Sequence, residues 1–400
     1  MELIDPNVLT WLPEGTEVTN VQPWGASGWT QTMRVTTTLP SGEEKEYFLK
    51  DCAAEFAEAM FSGEYHSLER MYTLMPTACP KPRGWGKYQS SANTYFVIMD
   101  FLYLIAEPPD PKTITKMIAD LHRTTAGTSP DNKFGFDVPT CHGKISQPNE
   151  WDSDWCRYFS RLLTVFYDED MKVNGPFPEY ENAFKVLKER VIPRLLRPLQ
   201  SDGRVLTPCL IHGDLWHENI GLNEETEEPM LYDPALFYGH NEFEMGMWRT
   251  SFVPFDDSYR MNYFIQFPPS EPVTEWDDRN RLYSIFFHLS HSAHWTGAAI
   301  ETRLRTLEDM SFLIQKYDSP LPVKDIDREV ELNNAAFAAN NAAVSRNNIV
   351  DLSNTTSKNG DCDSPLASKG VTVEAREMDD NAVDSNNPMA LNQTTSPIGV

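Results

Sequence analysis

From Gln31 to Leu39 the chain is rich in Thr and Val with alternating polarity, a period-two pattern that predicts a strand. Pro40-Ser41-Gly42 supplies turn chemistry, and Lys45 to Lys50 resumes the extended pattern, so the two runs read as a hairpin. After Lys50 the period changes. Between Asp51 and Met75 the residues Phe56, Met60, Tyr65, Leu68, Met71 and Leu74 recur at helical spacing, as on a helix with one buried face. Tyr95 to Phe101 is a continuous apolar run bounded by polar residues, which suits a buried strand. The first hundred residues therefore predict strand, strand, helix, strand.

Helical periodicity dominates from Lys112 onward, at 112–123, 151–167, 180–199, 277–297 and 300–316. The expected fold class is α+β in two lobes: a small antiparallel-sheet lobe over 1–101 and a larger, mostly helical lobe over 102–320. Composition breaks near Pro320. From Glu331 to Val400 there is no Trp or Tyr and a single Phe, Phe337, so residues 321–400 are expected to be a low-complexity, disordered tail. The recurrence of Asn333, Asn340, Asn347 and Asn354 is the one hint of a short amphipathic helix there.

Charge narrows the partners. The chain holds 34 Lys plus Arg against 59 Asp plus Glu, a net charge of −25. Such a surface repels nucleic-acid backbones and anionic lipid, and no basic patch offsets it, so neither nucleic acid nor membrane is an expected partner. No secretory leader is read in MELIDPNVLTWLPEG. The longest apolar stretch, Tyr95 to Ala106, is interrupted by Asp100 and too short for a bilayer core of about 30 Å. Six cysteines without a CxxC pair fit reduced thiols in a cytoplasmic protein. Oligomeric state is left open.

The chemistry concentrates in Leu210-Ile-His-Gly-Asp-Leu-Trp-His-Glu-Asn-Ile220, followed by Met230-Leu-Tyr-Asp-Pro-Ala235. His212, Asp214, an Asn219 five residues later, and Asp233 after a second apolar strand have the spacing of kinase-type phosphotransfer. Asp214 is placed to accept the proton of an attacking hydroxyl as the catalytic base. Asn219 and Asp233 supply oxygen ligands suited to Mg2+ shared with the phosphates of ATP. Upstream, Lys50 ends the second hairpin strand as candidate phosphate clamp, and Glu64 is its candidate partner, with Glu55, Glu58 and Glu69 as competitors. Gly25 and Gly28 precede the first strand and could bring backbone N–H groups to phosphate. Met99, Asp100 and Phe101 stand where a hinge would offer backbone groups to adenine. Trp216 and His212, beside the base, are candidate acceptor contacts.

Other constellations carry less. His288, His291 and His294 are three apart, which does not converge on one ion as an i, i+4 pair does, so packing, capping and surface roles are expected for them. There is no GxxxxGK[ST] loop and no GxSxG elbow.

The string HGDLW, Asn219 and then DPALFYGHNEFEMGMW resembles the fructosamine kinase family, a branch of the aminoglycoside and choline phosphotransferase group with a protein-kinase-like fold. Pro80-Lys81-Pro82, Ala119-Asp-Leu-His122, Phe134-Gly135-Phe136, Asn149-Glu-Trp151 with Trp155, and Arg279 to Tyr283 extend the likeness over roughly residues 20 to 315. The resemblance implies an ATP- and Mg2+-dependent kinase acting on the C3 hydroxyl of a ketoamine, a ribulosamine or fructosamine on a protein lysine or small amine. The phosphorylated product would then release the amine, a deglycation repair. It implies the roles given above for Asp214, Asn219, Asp233, Lys50 and Glu64. Trp216-His217-Glu218 and Glu244, where an Asp is more usual, depart from the pattern. A kinase for an aminoglycoside, choline or metabolite hydroxyl, and a pseudokinase binding module, are the competing expectations.

Overall fold

The computed structural model describes residues 3–105 and 107–317, with the backbone of 398–399. The expected tail otherwise lies outside the described residues.

The small lobe opens with a short helix, α1 (Pro6–Leu9), then β1 (Glu17–Pro23), β2 (Gln31–Thr38), β3 (Glu44–Cys52), helix α2 (Ala57–Leu74), β4 (Pro82–Lys87) and β5 (Tyr95–Asp100). The strands form one antiparallel sheet in the order β1-β2-β3-β5-β4. The predicted hairpin is β2–β3, with Thr32 opposite Lys50. Alternation along β3 divides its side chains between two cores. Tyr47 and Leu49 join Val8, Val35, Phe96 and Ile98 under α1. Phe48 turns to the other face, with Met60, Val97, Met99 and Tyr232. The sequence reading lacked β1 and β4. In β4, Pro82, Gly84 and Gly86 dilute the strand pattern, and the sheet tolerates them because β4 is an edge.

The larger lobe begins with β6 (Tyr103–Ile105) and α3 (Pro111–Thr125), followed by a tight hairpin, β7 (Cys141–His142) and β8 (Ile145–Ser146). Next come α4 (Trp155–Asn174), α5 (Pro178–Val186) and α6 (Ile192–Leu196). Asp154 starts α4 by accepting the Arg157 N–H at 2.9 Å, which places the helix four residues later than periodicity alone suggests. The single helix expected over 180–199 widens to a π-turn at Leu187–Val191, ahead of Pro193, which has no N–H to donate. Short strands β9 (Cys209–Ile211), β10 (Ile220–Asn223), β11 (Pro229–Leu231) and β12 (Phe237–Gly239) follow, then α7 (Glu244–Met247), α8 (Asp257–Gln266), α9 (Trp276–His294) and α10 (Ala299–Tyr317). β6, β10 and β11 pair antiparallel, as do β9 and β12.

Helix α9 is buried on most of its surface and acts as the axis of this lobe. Its Arg279 is fully buried. Nε and Nη2 donate to Glu242 at 2.7 and 2.8 Å, Nη2 also reaches the Ser270 carbonyl, and Nη1 the Pro272 carbonyl. Tyr283, one turn on, accepts from Trp155 Nε1 at 2.9 Å and lies 2.8 Å from His240 Nδ1. Removing one partner of the buried pair leaves an uncompensated charge. Glu242→Ala is therefore expected to cost about 3–5 kcal/mol in chemical denaturation, whereas Arg279→Met with Glu242→Leu should recover much of that loss. A single variant within about 1 kcal/mol of wild type would contradict this reading of the pair.

Candidate active site

Each chemistry-bearing residue stands at the end of a short strand. β9 delivers His212 to Asp214, Asn219 immediately precedes β10, and Asp233 follows β11 by two residues. The loop after β9 is held from below. Glu244, fully buried at the start of α7, accepts the His212 N–H at 2.5 Å and the Gly213 N–H at 3.0 Å. Trp248 Nε1 donates to the Leu215 carbonyl at 2.8 Å. Gly213 has φ +82°, and a Cβ there would sit 2.4 Å from the Ala235 carbonyl oxygen, so no other residue fits between the two loops. The departure from Asp at position 244 thus keeps a carboxylate in contact with the loop.

Asn219 donates from Nδ2 to the Asp214 carbonyl at 2.8 Å, which leaves Oδ1 as the free end of the amide. Asp233 takes φ +52°, and its side chain is 40% exposed to the cleft. The two present oxygen donors from adjacent loops, a set that fits a hard divalent cation retaining several waters.

Across the cleft, α2 places Glu64 on its buried stripe with Met60, Phe61, Ser67, Leu68 and Met71, while Glu55, Glu58 and Glu69 are exposed. The stripe settles which glutamate meets Lys50: Nζ lies 2.9 Å from Glu64 Oε1 and also contacts Asp233 Oδ1. Burial alone would weaken the Lys50 ammonium, but Asp233 and Glu64 more than offset it and raise its pKa. Burial raises the Glu64 carboxyl to about 7 despite Lys50, with the Asp233 charge adding to the rise. Burial would also raise Asp214, yet His142, 3.0 Å from its Oδ1, holds it below the usual carboxylate range.

A cleft of about 500 Å³ brings Gly25, Gly28, Lys50, Glu64, Asp214, Trp216, Asn219 and Asp233 together. Two expectations need correction. His212 is fully buried, with Nε2 3.0 Å from the Tyr232 carbonyl oxygen, so it ties the two loops together beneath the cleft and does not face an acceptor. In the hinge segment Met99 is a core side chain, and the backbone N–H groups of Asp100 and Phe101 already donate to the Lys81 and Glu46 carbonyls at 2.9 and 3.2 Å. Leu102 is the first residue of that segment with no hydrogen bond on its backbone among the described residues.

Sequence reasoning passed over the far end of the cleft. Trp29 packs 5.3 Å from Trp295 and 4.9 Å from His294, with Lys144 Nζ 5.0 Å from its ring. His294 therefore has a place at the cleft mouth that spacing alone did not reveal. His291 stacks on Phe252 at 4.6 Å, and His288 is buried; burial lowers their pKa values to about 4 and about 3. His142, the partner of Asp214, was signalled only by the Cys141-His-Gly-Lys144 turn.

A five-stranded antiparallel lobe carrying a Lys–Glu pair, set over a helical lobe that offers Asp, Asn and Asp from adjoining loops, defines the protein-kinase-like class of phosphotransferase folds. The sequence model of the fructosamine kinase family matches residues 14–312, and the chain belongs to that family. The chloroplastic protein-ribulosamine 3-kinase of Oryza sativa subsp. japonica is 30% identical over 235 residues, which cover 58% of this chain and 63% of that relative's length. Ketosamine-3-kinase of Mus musculus is 26% identical over 284 residues, or 66% of this chain and 87% of the mouse protein. A crystal structure from Thermobifida fusca YX-ER1, provisionally named a fructosamine-3-kinase, shares the fold with a TM-score of 0.59 at 21% identity, covering 78% of this chain and 99% of its own.

The raised Glu64 carboxyl has a thermodynamic consequence. Its folded pKa, about 7, exceeds the usual carboxylate value, so the stability tied to its protonated form is present below about pH 4.5 and is lost as pH rises through 7. Without nucleotide, Glu64→Gln should therefore gain thermal midpoint relative to wild type progressively between pH 4.5 and 7. A constant difference across that window would show that Glu64 titrates normally.

Proposed function

We propose that this chain is an ATP- and Mg2+-dependent ketoamine 3-kinase that phosphorylates the C3 hydroxyl of a ribulosamine or fructosamine. The observation that carries the reading is the convergence of Lys50, Asp214, Asn219 and Asp233 on one cleft in a member of this family. Asp214 accepts the hydroxyl proton as the oxygen attacks the γ-phosphorus. Asn219 and Asp233 would hold the magnesium, which offsets phosphate charge when bound. Lys50, kept ionised by its carboxylate neighbours, grips the phosphates, and Gly25 and Gly28 bring backbone close to them. Glu218 also lines the cleft, and its acidic wall suits an acceptor that carries an amine. Release of the amine from the phosphorylated product makes deglycation the proposed role. Five described cysteines are unpaired and no described helix is long and apolar enough to cross a membrane; the thiols support our assignment to the cytoplasm.

The deciding experiment measures ATP consumption on ribulosamine, fructosamine and erythrulosamine adducts, with aminoglycosides and choline alongside. Turnover confined to the latter two would overturn the acceptor assignment. Asp214→Asn should keep nucleotide binding and lower turnover by about two to four decades; near-normal turnover would remove Asp214 from its role. Lys50→Met and Asp233→Asn should both weaken nucleotide handling, but raising magnesium should rescue part of the Asp233 defect and none of the Lys50 defect. Identical magnesium titrations would mean the two roles are misassigned.

A further inference from the structure

The carboxylate of Asp214 is not held by backbone amides. Its Oδ1 lies 3.0 Å from His142 Nε2, and Oδ2 has no hydrogen bond among the described residues. His142 itself is fixed on every side. It closes β7 of the two-residue hairpin, whose first turn residue, Gly143, takes φ +57° and would place a Cβ 2.5 Å from His294 Nε2. The imidazole edge is enclosed by Phe166, Phe286 and Phe287, with ring centroids 5.9, 5.4 and 5.8 Å away. On its far side, Nδ1 is 2.8 Å from Ser290 Oγ on α9.

The proton positions follow from what the partners can do. The Lys144 backbone N–H can only donate, and it lies 3.1 Å from His294 Nε2; the Ser290 carbonyl can only accept, and it lies 2.7 Å from His294 Nδ1. His294 is therefore neutral with its proton on Nδ1; Ser290 Oγ, 3.3 Å from that nitrogen, can only accept from it, so the hydroxyl proton is left for His142. An ionised carboxylate 3.0 Å from His142 Nε2 requires a proton on that nitrogen, since two lone pairs would repel. At 3.0 Å the pair is close but its N–H does not point at the oxygen, so Nε2 makes no hydrogen bond within geometric limits here, the kind of misalignment that catalytic contacts show before substrate tightens them.

We propose that His142 is a positioning residue for the catalytic base: through Nε2–H it holds Oδ1 of Asp214, so that Oδ2 is the oxygen that receives the acceptor's proton. Ser290 fixes the imidazole from behind, and the aromatic ring of phenylalanines prevents it from turning. No electron or bond is exchanged at His142; the proton moves only from the acceptor hydroxyl to Asp214. The proposal rests on the ketoamine kinase reading for its kinetic arm and on geometry alone for its spectroscopic arm.

The kinetic arm compares His142→Leu with His142→Gln in the full chain, on whichever ketoamine adduct wild type turns over. Gln carries an amide nitrogen at about the reach of Nε2, so it should keep kcat within about fivefold. Leu should lower kcat by about ten- to a hundredfold, with KM for ATP and acceptor changed less than about threefold, the scale expected when a reacting group is displaced by a fraction of an ångström to an ångström. Loss in both variants alike, or in neither, overturns the proposal. The second arm records 15N-histidine spectra without acceptor, with the His142 signal identified by its absence from His142→Gln. A protonated Nε2 whose shift moves in Asp214→Ala supports the contact, and an unprotonated Nε2 overturns it. Failure of wild type to use any ketoamine would count against the function and leave the spectroscopic test standing.

Discussion

The carboxylate of Glu244 accepts two consecutive backbone N–H groups, those of His212 and Gly213, in a place with no access to water. Neither amide has another partner there, and a buried donor left unpaired costs about as much as a lost hydrogen bond or more. The loop that carries Asp214 is therefore fastened to the start of α7, and α7 is packed against α9, where a Cβ on Gly246 would meet the Tyr283 backbone at 2.8 Å. Below that contact, Arg279 and Glu242 lock the same segment to the same helix. From one short stretch, residues 242–248, the lobe obtains an ion pair, a double amide acceptor and the Trp248 indole that holds Leu215. The position of Asp214 is thus set by the core and not by the cleft.

The cleft has the opposite character. Among the described residues that line it, Lys50 is the one basic side chain, against Glu64, Asp214, Glu218 and Asp233. That single ammonium is shared between the carboxyl groups of Glu64 and Asp233, so one lysine joins the two lobes. A nucleotide triphosphate entering such a space would face net repulsion, and Lys50 alone would not balance it. On the proposed reading, a divalent cation held by Asn219 and Asp233 would remove that difficulty and give Asp233 a second cation beside the shared lysine.

Much of this was legible in the sequence, and the exceptions share physical causes. The β2–β3 hairpin and α2 were read from their periods, and β5 from an unbroken apolar run that the structure explains by burial on both faces. Asp214, Asn219, Asp233 and Lys50 line one cleft, and Glu64 meets Lys50 where its neighbours do not because it alone shares the apolar stripe. β1 and β4 escaped because they are sheet edges, where burial is partial and Pro and Gly are tolerated. His212 was misplaced because a motif tells which residues are near the chemistry but not which side of the loop they face. The hinge amides were misjudged for a similar reason: strand ends keep their ladder partners beyond the last regular residue. His142 and Trp29 could not be found by spacing at all, since their partners Asp214, Ser290 and His294 come from segments far along the chain.

The end of the cleft at Trp29 and Trp295 depends on one helix in a way that the end at Lys50 does not. α9 supplies Ser290 to the back of His142, His294 to the Gly143–Lys144 turn, and leads directly into Trp295, which meets Trp29 across the mouth. These contacts fall within six successive residues, so the wall that an acceptor would touch and the support of the base share one rigid element. A substitution that shifts the end of α9 would move both together. On the proposed reading, acceptor selectivity and the alignment of Asp214 would therefore be coupled through α9, whereas Lys50 and Glu64 stand on β3 and α2 of the small lobe.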